Sequence, residues 1–371
     1  MKYDRILHTP EGVRDIYNGE CARKLALEAR LLDKMYLYGF DSIQTPTLEY
    51  FDVFSEERGT LAAREMYKLF DREGNTLVLR PDITPSIARC VAKYYRNEND
   101  PIRLCYTGNT FINSSEYQGK PKEFTQTGAE LINDRSVAAD AEMLALTVEC
   151  LLASGLTEFQ VEVGEVGFFK AIVEEAGICD EDLNELMLLI NDKNSFGLED
   201  FLDKFGMPAQ LKTLFAMLPA MFGPVDRLDG LKKMTRNPAA IKAIERLEDI
   251  YELMKLYGYE KYISFDLGML GKYGYYTGII FNAYTYGSGD ALISGGRYDK
   301  LVGQFGKDAP AIGMAVFVDR LLTAVIRQEI GFDDKESARR ITASEADCAE
   351  ELKKVIGLRR EGKAARLDIK R

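Results

Sequence analysis

Residues 102–132, IRLCYTGNTFINSSEYQGKPKEFTQTGAELI, decide the fold of this chain. The segments 102–111 and 123–132 have the composition of β-strands, and the residues between them form a polar loop that contains Gly119 and Pro121. Two strand-like segments joined by one loop predict two long strands that lie side by side. A polar loop of this kind often closes over a nucleotide, so the segment also raises the question of whether the chain binds one.

The second of these strands carries polar side chains on one face. Because side chains alternate along a strand, Gln126, Gly128 and Glu130 share a face with Phe124 and Ile132. Polar groups among apolar ones usually hydrogen-bond to each other or to a ligand. The pattern therefore indicates either an internal hydrogen-bond network or a ligand pocket.

The segment 79–85, LRPDITP, passes from a strand into a helix. We expect Thr84 to cap this helix and Pro85 to be its first residue. Asp82 and Thr84 then serve either as caps only, or as a carboxylate and a hydroxyl that bind an ammonium group.

Two further segments are rich in glycine and tyrosine: 271–281, GKYGYYTGIIF, and 294–301, SGGRYDKL. Tyrosine rings make rigid ligand walls, but Gly and Tyr also occur at strand bends. A double glycine before Arg297 and Asp299 is likewise typical of a hairpin turn with an Arg–Asp pair. The residues alone leave both interpretations open.

The rest of the chain combines strands and helices without a regular βαβ repeat. Residues 66–80 predict a hairpin and residues 136–153 predict a helix. This order predicts an α+β fold with a mainly antiparallel sheet. The C-terminal tail is polar, and we expect its end to be poorly ordered. The predicted organisation is a core in two parts, 1–177 and 259–330, a helical insertion, 178–258, and a polar tail, 331–371.

Composition excludes several classes of function. The net charge is −11, and an acidic chain disfavours extensive contact with a nucleic-acid backbone. His8 is the only histidine, which excludes a metal site built from several histidines and disfavours a Ser-His-Asp triad. The six cysteines form no CxxC motif and indicate reduced thiols in a cytosolic protein. No apolar run approaches the ~20 residues that span a bilayer, and no N-terminal segment suggests export.

Taken in order, these segments resemble the catalytic core of histidyl-tRNA synthetase, a class II aminoacyl-tRNA synthetase. The similarity begins at TPEGVRDI, continues through GFDSIQTPTLE and the long strand pair, and ends with GGRYDKLVGQFG and GMAVFVDRL. The resemblance implies a synthetase-like antiparallel sheet flanked by helices, a helical insertion at 178–258, and a dimer formed through the segment that ends at Pro46. Of the family's anticodon-binding domain, only a remnant is expected in the tail.

The departures from the synthetase remove the groups that bind ATP. Ile112 stands where the family has an arginine on the α-phosphate, and Gly271 where it has a catalytic arginine. Lys120 and Gly274 replace a further arginine and an aspartate, whereas Arg320 matches the remaining ATP-binding arginine. Losing even one preorganised contact of this kind costs about 100-fold in rate or more. The resemblance therefore implies a chain with no catalytic residues, no cofactor and no metal site.

The amino-acid pocket matches the synthetase more closely. The implied histidine-binding residues are Asp82, Thr84 and Gln126 for the ammonium group, Glu130 and Tyr276 for the imidazole, and Tyr275 and Tyr298 beside them. The family's carboxylate-binding arginine is the one replaced by Gly271. Lys272 or Arg297 would therefore have to bind the carboxylate.

A synthetase core without its ATP arginines, but with a histidine pocket, resembles the regulatory subunits of ATP phosphoribosyltransferase, which are paralogues of the synthetase. The resemblance implies a cytoplasmic homodimer within a hetero-oligomer. Its partner would be a short-form catalytic subunit, and its allosteric ligand would be histidine, the feedback inhibitor of the first step of histidine biosynthesis. Two other interpretations are a divergent histidyl-tRNA synthetase, which would activate histidine with ATP, and a tRNA-sensing binding module, which would show charge-dependent tRNA binding.

Overall fold

The computed structural model describes residues 7–54, 61–113, 121–271, 275–331 and 338–370. The chain forms two compact units, the larger from Met1–Asp15 and Leu27–Ile330, the smaller from Ile16–Ala26 and Gly331–Arg371. In the described ranges, no helix combines the length and the apolar composition that crossing a membrane requires.

The secondary structure is distributed over the whole described chain. In chain order the strands are β1 (Asp41–Ser42), β2 (Leu48–Tyr50), β3 (Lys68–Phe70), β4 (Thr76–Leu79), β5 (Ile102–Phe111), β6 (Glu123–Ile132), β7 (Phe159–Glu165), β8 (Phe222–Gly223), β9 (Ile263–Asp266), β10 (Ile279–Thr285), β11 (Ile293–Arg297), β12 (Ala311–Phe317), β13 (Arg339–Ala343) and β14 (Ala365–Ile369). The helices are α1 (Asn18–Leu37), α2 (Thr84–Tyr94), α3 (Val137–Ala153), α4 (Val166–Ala176), α5 (Asp180–Asn191), α6 (Ser195–Asp203), α7 (Ala209–Met217), α8 (Asp226–Met234), α9 (Pro238–Tyr257), α10 (Val318–Arg327) and α11 (Cys348–Arg360).

The main sheet of the larger unit has the strand order β1-β5-β6-β12-β11-β10-β7-β9-β8. The pairs β1–β5 and β7–β9 are parallel, and the other neighbouring strands are antiparallel. Strands β2, β4 and β3 form a separate antiparallel sheet. The predicted α+β class and the mainly antiparallel sheet are confirmed.

The register around β6 determines which side chains lie on the same face of the sheet. Tyr106 on β5 pairs with Gly128, and Gly313 on β12 pairs with Glu130. Residues directly opposite each other in an antiparallel pair have side chains on the same face. This face therefore carries Gln126, Gly128 and Glu130, together with their neighbours on β5 and β12.

The opposite face of the sheet is apolar and packs against α3. Leu131, Val163 and Phe281 are buried there, and the Thr147 hydroxyl of α3 lies 3.2 Å from Met314 Sδ of β12. Burying a large apolar side chain contributes about 1.5–3 kcal/mol, before the entropy cost of ordering it. The apolar face thus stabilises the sheet from the side of α3.

Several elements agree with the sequence-based predictions. The hairpin at 66–80 is formed by β3 and β4, and α3 begins after Ser136, whose hydroxyl accepts a hydrogen bond from the Ala139 N–H. The segment 178–258 contains helices α5 to α9 and the short strand β8. Its last helix begins after Asn237, whose side chain accepts hydrogen bonds from two backbone N–H groups.

Two predictions about chain segments are wrong. Thr84 does not cap α2: it is the first helical residue, and Ile83 occupies the capping position without a side-chain hydrogen bond. The polar tail is also ordered close to its end, because β13 and β14 pair in parallel and are connected by α11. Ala343, Val355 and Ala365, one from each of these three elements, are buried.

Candidate functional site

Glu130 lies at the centre of the candidate site and is 1% exposed. The Thr84 hydroxyl donates a hydrogen bond to Oε1 at 2.7 Å, and the Tyr298 hydroxyl donates one to Oε2. Burial raises the pKa of Glu130 to about 8; the two hydrogen bonds oppose this shift, and the nearby charge of Asp82 adds to it. Glu130 is therefore mostly protonated at neutral pH and can share a proton with a basic ligand.

Two glycines make room for these side chains. A Cβ added at Gly313 would lie 1.6 Å from Glu130 Oε2, and one added at Gly128 would lie 2.4 Å from the Tyr106 hydroxyl. Both distances are far inside van der Waals contact. The side chains of Glu130 and Tyr106 therefore lie over neighbouring backbone that carries no side chain of its own.

Three tyrosines form one wall of the site. The Tyr275 ring stacks on Tyr298, with centroids 5.7 Å apart, and meets Tyr276 edge to face at 4.9 Å. Burial, followed by nearby carboxylates, raises the pKa of each of these hydroxyls above its usual value. All three remain neutral and are able to donate hydrogen bonds over the physiological range.

Asp82 and Gln126 contribute acceptor groups to the same face. Asp82 Oδ1 accepts the Ile83 N–H at 2.7 Å, and its charge is close enough to act on Glu130. Gln126 is 8% exposed, and its Oε1 has no hydrogen-bond partner within the described residues. Thr84, Tyr298 and Asp82 thus lie beside Glu130, and Tyr275 and Tyr276 lie next to Tyr298. Gln126 lies on the same face of the sheet, four positions along β6 from Glu130.

Arg297 does not belong to this group, and its expected role as a carboxylate contact is not supported. It is buried, with Nε 2.9 Å and Nη2 2.5 Å from Asp140 Oδ1. Its Nη1 donates to the Asp134 carbonyl at 2.9 Å and to Asp299 at 3.1 Å. Arg246 of α9 binds the other oxygen of Asp140, so these arginines connect the helical segment to the core. The other expected carboxylate contact, at position 272, lies outside the described residues.

The positions that depart from the synthetase have defined surroundings. Gly271 has a φ of 58°, and a Cβ added there would lie 3.2 Å from the Tyr276 ring. This left-handed conformation favours glycine. Arg320 stacks on Phe317 at 4.3 Å and donates to the Ala291 carbonyl at 3.0 Å. The departures at positions 120 and 274, like the loop at 114–120, lie outside the described residues.

Sequence reasoning missed Tyr106 and Gly313. Gly313 depends on the pairing of strands that are distant in sequence, since it faces Glu130 only through the β12–β6 register. A signal was available for Tyr106, because its hairpin partner across β5 and β6 is Gly128. A large aromatic residue opposite a glycine in a predicted strand pair indicates a ring that lies across the neighbouring strand.

A separate cavity of about 250 Å³ lies further along the sheet. Glu162, Asp266, Asn282 and Tyr284 line it from the sheet side, and Lys193 is among the residues of the helical segment that line it. None of the expected histidine-binding residues borders this cavity. In the part of the chain that the structure describes, no group of three or more His, Cys, Asp or Glu residues is placed to hold a metal ion.

Comparison with known proteins identifies the family. The family described as Histidyl-tRNA synthetase matches residues 12–321. The ATP phosphoribosyltransferase regulatory subunit of Acetivibrio thermocellus is 38% identical over 363 residues, which covers 98% of this chain and 87% of that protein. That of Thermoanaerobacter pseudethanolicus is 37% identical, covering 96% of this chain and 93% of that protein. This chain belongs to the ATP phosphoribosyltransferase regulatory subunit family.

Solved structures agree with membership of the regulatory-subunit family. A structure of an ATP phosphoribosyltransferase regulatory subunit/histidyl-tRNA synthetase from Bacillus halodurans C has a TM-score of 0.89 and 30% identity, covering 98% of this chain and 93% of that one. The structure of histidyl-tRNA synthetase from Nostoc sp. PCC 7120 has a TM-score of 0.80 and 20% identity, and the match covers 98% of this chain and 86% of that one. At this identity the match shows only that the fold is shared. The interpretation as a non-catalytic regulatory subunit is confirmed by the named relatives.

Proposed function

We propose that this regulatory subunit joins a short-form ATP phosphoribosyltransferase catalytic subunit, is required for its activity, and mediates feedback inhibition by histidine. The observation that carries the proposal is the buried Glu130, which is held by Thr84 and Tyr298 beside the tyrosine wall. A buried carboxyl group with a pKa near 8 is suited to an imidazole, because the two groups together can hold one proton.

The remaining polar groups suit the ammonium end of the same ligand. Asp82 supplies a negative charge, and Gln126 Oε1 is an acceptor without a partner in the described residues. The Thr84 hydroxyl, while donating to Glu130, keeps lone pairs that can accept from an ammonium group. In this proposal Tyr276 contacts the imidazole, and Tyr275 and Tyr298 form the wall beside it.

The surface supports the proposed homodimer. Leu48 and Tyr50 on β2 and Leu69 on β3 are 49%, 56% and 42% exposed, and the strand register places all three on one face of the small sheet that follows Pro46. Exposed apolar side chains clustered on a small sheet are typical of an interface. The proposal also includes a cytoplasmic hetero-oligomer and the division into a core, 1–177 and 259–330, an insertion, 178–258, and a C-terminal remnant, 331–371.

Calorimetry with free histidine tests the proposed site. Glu130→Ala should weaken binding by about 1.5–3 kcal/mol, the range for hydrogen bonds to charged groups. Ser288→Ala, on an exposed turn whose hydroxyl bonds only locally, is the matched control and should bind like the unmodified protein. Unchanged histidine affinity in Glu130→Ala would place the site elsewhere.

A further inference from the structure

Arg80 is buried, and among the described residues one nitrogen of its guanidinium group makes no hydrogen bond. The residue is 6% exposed. Its Nε donates to the Asn109 carbonyl at 2.9 Å, and its Nη1 donates to the Thr45 carbonyl at 2.8 Å and the Thr45 hydroxyl at 3.1 Å. Within the described residues, Nη2 makes no hydrogen bond or ion pair. The guanidinium is therefore held in place on one side and has donors to spare on the other.

The unused nitrogen lies over Gly108. A Cβ added at Gly108 would lie 2.1 Å from Arg80 Nη2. Gly108 pairs with Gln126 across β5 and β6, so both residues direct their side-chain positions to the same face of the sheet. Arg80 Nη2 therefore lies on the face of the proposed histidine site, at the end marked by Gln126 and away from Glu130.

Two buried polar atoms on this face also lack hydrogen-bond partners within the described residues. They are Gln126 Oε1 and the Tyr106 hydroxyl, which lies over Gly128. Buried polar groups in native proteins are nearly always hydrogen-bonded, so these two atoms are available to pair with a ligand on this face. Their chemistry fits the head of an α-amino acid, with donors on Arg80 and Tyr106 for a carboxylate and an acceptor on Gln126 for an ammonium group.

We propose that Arg80, assisted by Tyr106, binds the ligand's α-carboxylate and replaces the arginine absent at Gly271. The inference rests on the proposed histidine site and specifies how that site selects a free amino acid. Arginine is suited to the role because its charged N–H groups form strong bonds to carboxylates and its fixed plane keeps the donor in place. Arg297 cannot take the role, since Asp140, Asp134 and Asp299 occupy its nitrogens.

The test compares histidine with histidinol, which keeps the imidazole and the amine but has a hydroxymethyl group in place of the carboxylate. Calorimetry measures both ligands on each protein. The unmodified protein should prefer histidine by about 10- to 150-fold, the range for one hydrogen bond to a charged group. In Arg80→Met this preference should fall to within about threefold, because histidinol affinity changes little while histidine affinity is lost.

Two further variants make the result decisive. Gly108→Ala keeps Arg80 and its anchors but places a methyl group against Nη2, so it should also reduce the preference, even if Arg80→Met fails to fold. Arg89→Met removes a half-buried arginine of α2 that binds Glu49, and should keep the full preference. Folded Arg80→Met or Gly108→Ala with an unchanged preference would overturn the inference. An unmodified protein that binds neither ligand would instead refute the proposed histidine site.

Discussion

The affinity for histidine should depend on pH in a way that Glu130 determines. Burial raises the pKa of this carboxyl group to about 8 in the unliganded protein, and a free imidazole has a pKa of about 6.5. The complex holds one proton between the two groups. Between these pKa values the free partners together already carry that one proton, so binding should be tightest there, without net proton exchange.

Outside this window binding must exchange a proton. At pH 9 Glu130 is ionised and the imidazole is neutral, so one proton is taken up and Kd should rise about eightfold relative to pH 7.2. At pH 5.5 both groups are protonated, so one proton is released and Kd should rise by a similar factor, about eightfold. The affinity for histidine is therefore highest near neutral pH and falls at lower and at higher pH.

Isothermal calorimetry in two buffers of different ionisation enthalpy measures the proton count directly. Glu130→Gln is the matched control, because it keeps the size of the side chain and cannot titrate. The histidine amino group titrates equally in both proteins, so the difference between them isolates Glu130. At pH 9 this difference should approach one proton per ligand. Equal proton uptake by the two proteins would refute the assignment of Glu130 as the imidazole partner.

Three other changes test the structure around the site. Gly313→Ala should weaken histidine binding at least tenfold by calorimetry, because its methyl group displaces the Glu130 carboxyl from two hydrogen bonds. Gly303→Ala is the control: a Cβ there meets open space, so this variant should bind histidine normally. Asp140→Asn should lower the free energy of unfolding by about 3–5 kcal/mol in urea, because it weakens a buried pairing with two arginines; an effect below 1 kcal/mol would contradict this. The pKa of Glu130 is raised in the folded protein, so its protonation stabilises the fold. That stability is fully present below the unfolded pKa of about 4.5 and is lost as pH rises towards 8. In Glu130→Gln the midpoint of thermal unfolding should lose that part of its pH dependence.

Local patterns predicted much of the fold. The hairpin of β3 and β4, the strands β5 and β6, and the Ser136-capped helix α3 are all encoded within short segments, by alternation, turn residues and a capping hydroxyl. The ordered tail was harder to predict, because its polar surface hides a few small buried residues such as Val355. Amphipathic patterns in so small a unit are weak, since little apolar surface is available to bury.

The site was predicted from the family resemblance, and its errors have physical causes. Thr84 was expected as a helix cap, but its hydroxyl bonds Glu130, a residue 46 positions away in sequence. Arg297 was considered for the ligand carboxylate, but the buried Asp140 binds it, and no local pattern reveals that pair. Buried charges are paired wherever the fold brings an opposite charge close, which depends on tertiary structure and not on sequence spacing.

The central claim is that this chain acts through a partner, and a mixing experiment tests it most directly. The regulatory subunit is combined with a short-form ATP phosphoribosyltransferase catalytic subunit, and phosphoribosyl transfer is measured with and without histidine. The rate should rise sharply on mixing and fall again with histidine. The coupling free energy between histidine binding and the active state of the complex should be about 1–3 kcal/mol, which corresponds to a change of roughly 5–150-fold in histidine affinity. Glu130→Ala should still activate but respond to histidine only at higher concentration. Two chains that elute separately from a sizing column, with an unchanged catalytic rate, would contradict the account.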